Sequence, residues 1–129
     1  IREKALGREH PQVAGTLTVK ASLMLATGRY DEARGLAVEA QRILGASVPD
    51  DHWQMAAARS VEGGALARQG EFEEAERLLL QSQPALAASP IPDLQDRGRQ
   101  RLYDLYVAWG RPTEAARYAA AGGGAAVAR

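Results

Sequence analysis

The chain has 129 residues, about one domain, and 46% of them are apolar, which supplies a core and argues against global disorder. Its 16 basic residues balance 16 acidic ones, so no net field draws it to nucleic acid or to an anionic membrane, and no apolar run reaches the roughly 18 residues of a membrane span. There is no cysteine, which excludes disulfides, thiolate metal sites and a cysteine nucleophile and fits a reducing compartment, read here as the cytoplasm.

Taken in order, Ile1 to Leu6 read as the last turn and a half of a helix already under way, with Gly7 as its C-cap. With no initiator Met and no signal-peptide pattern, the sequence is expected to be a piece of a longer protein. Glu9-His10-Pro11 opens the next helix, in which apolar residues fall at 13, 17, 21 and 24. Gly28 turns the chain, and a second helix runs from about 30 to 44, with Asp31 and Glu32 at its dipole-favoured start and Ala33, Leu36, Ala37, Ala40, Ile43 and Leu44 as its stripe. After a break at 45–49, Asp50-Asp51 is expected to cap a helix reaching about Gln69. Gly63-Gly64 in its middle costs roughly 1 kcal/mol per glycine relative to alanine, which implies a neighbouring helix too close for a Cβ. Gly70 turns again into a helix from Phe72 to about Leu86, with a kink or early end expected near Gln83 because of Pro84. Ser89 to Asp93 breaks the chain, a helix follows from about 92 to 109, and Gly110 leads to a last helix from Pro112 to about Ala121. Gly122-Gly123-Gly124 and the residues after it are expected to fray.

One segment comes back twice. Gly28-Arg29-Tyr30-Asp31-Glu32-Ala33 recurs forty-two residues later as Gly70-Glu71-Phe72-Glu73-Glu74-Ala75, and forty after that as Gly110-Arg111-Pro112-Thr113-Glu114-Ala115. Self-similarity at such a period marks a helical repeat array, whose units cannot bury their apolar faces alone. The expected fold is therefore all-α: an α-solenoid of three antiparallel helix pairs (about 7–45, 46–88 and 89–121) with a helical stub in front and a tail over 122–129.

These residues resemble the tetratricopeptide repeat, in which a turn glycine precedes a second helix with small residues at set places. Ala33, Ala37 and Ala40 hold those places first, then Ala75, Leu79 and Ser82, then Ala115, Ala119 and Gly122. On the first helices the small position is Ala21, then Gly63, but Tyr103 in the third pair. The period is similar to the long, roughly 42-residue subtype of kinesin light chains and many bacterial arrays, and Leu6-Gly7-Arg8-Glu9-His10-Pro11 matches that subtype's signature. The resemblance implies a right-handed superhelix that binds proteins. Where long-type repeats carry paired asparagines that hold an extended peptide, this chain has no asparagine and places Thr18-Val19, Ser60-Val61 and Gln100-Arg101. The stretch from Leu102 to Ala116 is similar to the end of the arrays that follow kinase domains in some bacterial serine/threonine protein kinases, and the Ala, Gly and Arg content suits a GC-rich bacterial source.

Signs of chemistry are few. His10 and His52 occupy equivalent repeat positions and read as capping or surface residues rather than metal ligands. The glycine triplet lacks the Lys-Ser/Thr of a phosphate loop, and kinase motifs are absent. Trp53 and Trp109 read as packing residues, and Lys20 and Glu62, one period apart, are expected to form an ion pair between repeats. The expected function is a non-catalytic scaffold, without cofactor or metal, for a protein or peptide ligand. The concave face should show Thr18, Ser22, Ser60, Gly64, Arg68, Arg97, Gln100 and Asp104. Arg97, Arg99 and Arg101 alternate in a segment that also holds Asp93, Asp96 and Asp104; they read as a solvated, partly self-paired face, the alternative being an arginine patch on the inner surface that takes an acidic partner segment. Two other readings are a substrate-recruiting segment of a bacterial protein kinase and self-association through the open N-terminal end.

Overall fold

A computed structural model describes residues 11–119 and is helical throughout, with helices α1 Pro11–Ala26, α2 Tyr30–Gly45, α3 Trp53–Arg68, α4 Phe72–Leu86, α5 Leu94–Trp109 and α6 Pro112–Arg117. The expected front stub, Gly7, His10 and the glycine-rich tail lie outside the described residues, whereas the last helix, expected to reach about Ala121, already ends at Arg117, with Tyr118 as its C-cap. Consecutive helices pack on one another, and the first helices of successive pairs also touch, α1 on α3 and α3 on α5. This is the contact pattern expected of a helical repeat.

The turns follow from the recurring glycine. Gly28, Gly70 and Gly110 have φ of 84°, 83° and 76°, a conformation that side chains rarely adopt. The residue after each donates its N–H five residues back, Arg29 to Met24, Glu71 to Leu66 and Arg111 to Tyr106, so each turn closes the preceding helix in the same way. The second helix then starts with acids, Asp31 and Glu32 in α2 and Glu73 and Glu74 in α4. The alanine five residues past the glycine is buried in all three pairs: Ala33, Ala75 and Ala115.

Helix α3 is the centre of the fold. Its residues from Met55 to Ala58, then Ser60, Val61 and Gly63 to Ala67, are buried, so it is enclosed on nearly every side. That is feasible because those positions are mostly alanine and glycine. A Cβ on Gly63 would lie 2.8 Å from Leu79 Cγ and 3.3 Å from the Ala75 carbonyl oxygen, and one on Gly64 would lie 2.9 Å from Leu25 Cδ2. The glycine pair admits α4 on one side and α1 on the other. The third pair is built differently: Tyr106 stacks on Trp109 and Tyr118, and Trp109 on Phe72, so rings fill the space there.

Three expectations are corrected. The cap of α3 is His52, whose Nδ1 accepts the Gln54 N–H at 3.1 Å; Asp50 lies too early and instead pairs with Arg59. Helix α4 does not end at Gln83 but continues to Leu86 with Pro84 inside it, because a proline in the last turn removes only one bond of the ladder. Lys20 and Glu62 form no ion pair; Glu62 accepts from Gln41 Nε2 at 2.7 Å, so the contact between pairs is a neutral–charged hydrogen bond from α2 to α3.

Two glycine-to-alanine changes should move stability in opposite directions. Gly35 lies within α2 with open space where its Cβ would be. Gly35→Ala should stabilise by about 0.5–1 kcal/mol through helix propensity. Gly63→Ala should destabilise by about 1–3 kcal/mol, since overpacking against Leu79 and a backbone carbonyl outweighs the propensity gain. Urea midpoints of the two variants check this.

Candidate functional site

Where α1, α3 and α5 meet, they leave a cavity of about 280 Å³. Six residues of the expected face line it, Ser22, Gly64, Arg68, Arg97, Gln100 and Asp104, together with Leu25, Tyr30, Ala67 and Arg101. Thr18 and Ser60 line a smaller neighbouring space of about 50 Å³, which Ser22, Arg97 and Arg101 share. Ser60 is fully buried, and the Thr18 hydroxyl donates to the Ala14 carbonyl oxygen at 3.0 Å. The helical period brings these side chains together: Ser22 is four residues after Thr18, Gly64 and Arg68 follow Ser60 at steps of four, and Arg97 and Arg101 are one turn apart on α5.

Arg101, which lay outside the expected face, joins the three helices. Its guanidinium donates to Ser60 Oγ on α3 at 3.0 Å and to Ser22 Oγ on α1 at 3.3 Å. Its side-chain stem passes over Gly64, where a Cβ would lie 3.1 Å from Arg101 Cδ. Burial, and Arg97 beside it, pull its pKa down to about 10, with Asp104 partly opposing. The signal in the sequence is its register: Val19 and Val61 hold the same place in the first two pairs, so an arginine there is a local break in an apolar position.

The charges of the cavity are unbalanced. Arg29, Arg42, Arg59, Arg77, Arg99 and Arg111 each form an ion pair with a carboxylate of a neighbouring turn or loop. Among the described residues none of the three cavity arginines does. Arg101 has only hydroxyl partners, and Arg68 lies over the Tyr30 ring at 5.5 Å from its centroid. The single carboxylate of the lining, Asp104, accepts from Gln100 Nε2 at 3.0 Å. Three guanidinium groups thus face one carboxylate in a recess whose floor is glycine and alanine. Such a recess suits an oxyanion, since arginine presents paired N–H donors to carboxylate or phosphate oxygens.

Among the described residues no three His, Asp or Glu side chains converge as a metal site. No helix among them is long and apolar enough to cross a membrane. Arg99, by contrast with its neighbours, points away from the cavity to Asp96 and to the Tyr118 carbonyl oxygen, so the alternating arginines of this segment divide between two faces of α5. No family model matches the sequence, and no curated protein matches it.

Replacing the buried cation should separate stability from charge. Arg101→Met keeps the stem and removes the charge, so its urea midpoint should equal or exceed that of the parent, as for other buried ionic groups replaced by apolar isosteres. Ser60→Ala leaves Arg101 with one partner fewer and should lower stability by about 1–2 kcal/mol, read in the same titration.

Proposed function

We propose that the chain is a tetratricopeptide-like helical scaffold that captures an acidic segment of a partner protein on the face formed by α1, α3 and α5. The observation that carries this is the cluster of Arg68, Arg97 and Arg101 in one cavity, without the carboxylate partners that other arginines of the chain have. In this reading the three pairs form a right-handed α-solenoid, and the cavity lies on its concave side. The recurring turn and the contacts between first helices support that geometry.

A side-chain carboxylate of the partner enters the cavity and takes up donors of Arg97 and Arg101. Arg68, over Tyr30, and Gln100 hold the flanking backbone. Asp104 sets the register, because a second carboxylate of the partner beside it is repelled while a donor is accepted. Binding of this kind needs no chemistry by the scaffold, and its energy comes mainly from charge-assisted hydrogen bonds in a partly desolvated recess. Arg101 is already held by two serines, so it loses little conformational freedom when the partner arrives.

The test is fluorescence anisotropy with a labelled peptide rich in Asp and Glu, compared with a lysine-rich peptide of the same length. The acidic peptide should bind, with affinity falling as salt rises. The triple variant Arg68→Ala, Arg97→Ala, Gln100→Ala should keep the helical circular dichroism of the parent and bind at least about tenfold more weakly, which corresponds to the loss of roughly one charged hydrogen bond. Equal binding of both peptides, or unchanged binding by the folded triple variant, rejects the placement.

A further inference from the structure

The outer face of α1 carries apolar side chains in water. Val19 is 71% exposed and Leu23 57%, on the same stripe as Thr16. Forty-two residues on, the same three places of the repeat are Ala58, Val61 and Ala65, at 0%, 2% and 0% exposure. Forty further on, they are Gly98, Arg101 and Leu105, which meet Gln83 and Leu86, the two serines, and the last apolar cluster, respectively. In the second and third pairs these positions are covered. In the first they face outward. The exposed stripe of α1 therefore has the form of an interface that the chain itself makes twice.

The other end of the chain has the matching half. Within the chain, Leu25 of α1 is seated over Gly64 of α3, and Ala67 lines the cavity beside Asp104 of α5. Val107 holds the next equivalent place on α5 and is 54% exposed. The residue of α1 equivalent to Gly64 and Asp104 is Ser22, which adjoins Val19 and Leu23. The third pair thus offers a branched apolar side chain where the first pair offers a small residue with an apolar rim.

We infer that the exposed face of α1 is a docking surface for a second copy of this chain, bound head to tail, with Val107 of one copy set against Ser22 and Leu23 of the next. Three observations favour a second copy as the occupant. The contact continues the one by which α3 lies on α1 and α5 on α3. Among the described residues, three of the six large apolar side chains left exposed, Val19, Leu23 and Val107, fall on these two faces. The formal net charge is zero, so copies do not repel one another through a global field. Because the two surfaces differ, the contact is heterologous and the assembly keeps one free end of each kind, one on each terminal copy.

Size-exclusion chromatography with light scattering of the full chain tests this, with Leu23→Asp blocking one end and Val107→Asp the other. Both side chains are mostly exposed, so each variant should retain the parent's helical circular dichroism; Val19→Lys serves as a second block of the first end. The parent's mass should rise with concentration. Each blocked variant alone should remain at the mass of one chain at every concentration. An equal mixture of Leu23→Asp and Val107→Asp should give a two-chain species and nothing larger, because only one compatible pair of ends remains. A one-chain mass for the parent at every concentration overturns the inference and leaves the face to a segment of different sequence. Association of Val107→Asp with itself also overturns it, since that requires pairing of two α1 faces.

Discussion

Small side chains on α3 are the constraint on which the structure depends. A helix can be enclosed by neighbours on nearly every side only if its contact positions leave room for them. Here Ala56, Ala57, Ala58, Gly63, Gly64, Ala65 and Ala67 provide that room. Gly63 is filled by Leu79 and Gly64 by Leu25 and the stem of Arg101, so each missing Cβ is replaced by a side chain from a different helix. The favourable contacts are van der Waals contacts at close range rather than large buried areas. Such a core tolerates little added volume at α3 and more at the outer helices.

The same constraint produces the cavity. Three first helices that approach closely at small residues cannot all fill the space on their common side, and the gap is lined by whatever lies one turn along. In this chain that is arginine. Arg101 crosses from α5 to both other helices through two serine hydroxyls, which are small enough to sit at helix contacts and polar enough to accept. The result is a fixed cation joined to the fold by neutral partners. Its charge is therefore not cancelled within the chain, while the surface arginines nearby are matched by acids a turn away. Stability and recognition meet at this residue: a carboxylate in its place of contact would have cancelled its charge and closed the site.

The pairs are alike in turn and differ in filling. The first two use alanine and leucine in the second helix, with Ala37, Ala40, Leu78 and Leu79 buried, and the third uses Tyr106, Trp109 and Tyr118 against Phe72. Aromatic stacking covers the last pair where alanine contacts suffice earlier. Conversely, nothing comparable among the described residues covers Val19 and Leu23 at the first pair. The outer faces of the first and third pairs are thus not equivalent among the described residues.

Much of the fold was legible in the residues themselves. The recurring glycine requires a positive φ, the acids after it favour a helix start, and the period repeats both, so helix number, turns and the buried alanines follow from local physics. The Gly63-Gly64 pair likewise announced a close neighbour, because glycine within a helix is otherwise unfavourable. Local rules did less well where partners compete: Asp50 was drawn to Arg59 and left the cap to His52, and Glu62 met Gln41 from the neighbouring helix rather than Lys20 at the same register. Most of the face was read from spacing alone, since residues four apart share a side of a helix. That Ser60 is sealed inside, and that Arg101 joins three helices, depended on how deeply α3 sits between its neighbours. Periodicity fixes the direction of a side chain around its own axis; only the distance between axes decides whether that side chain meets water, a hydroxyl or another charge.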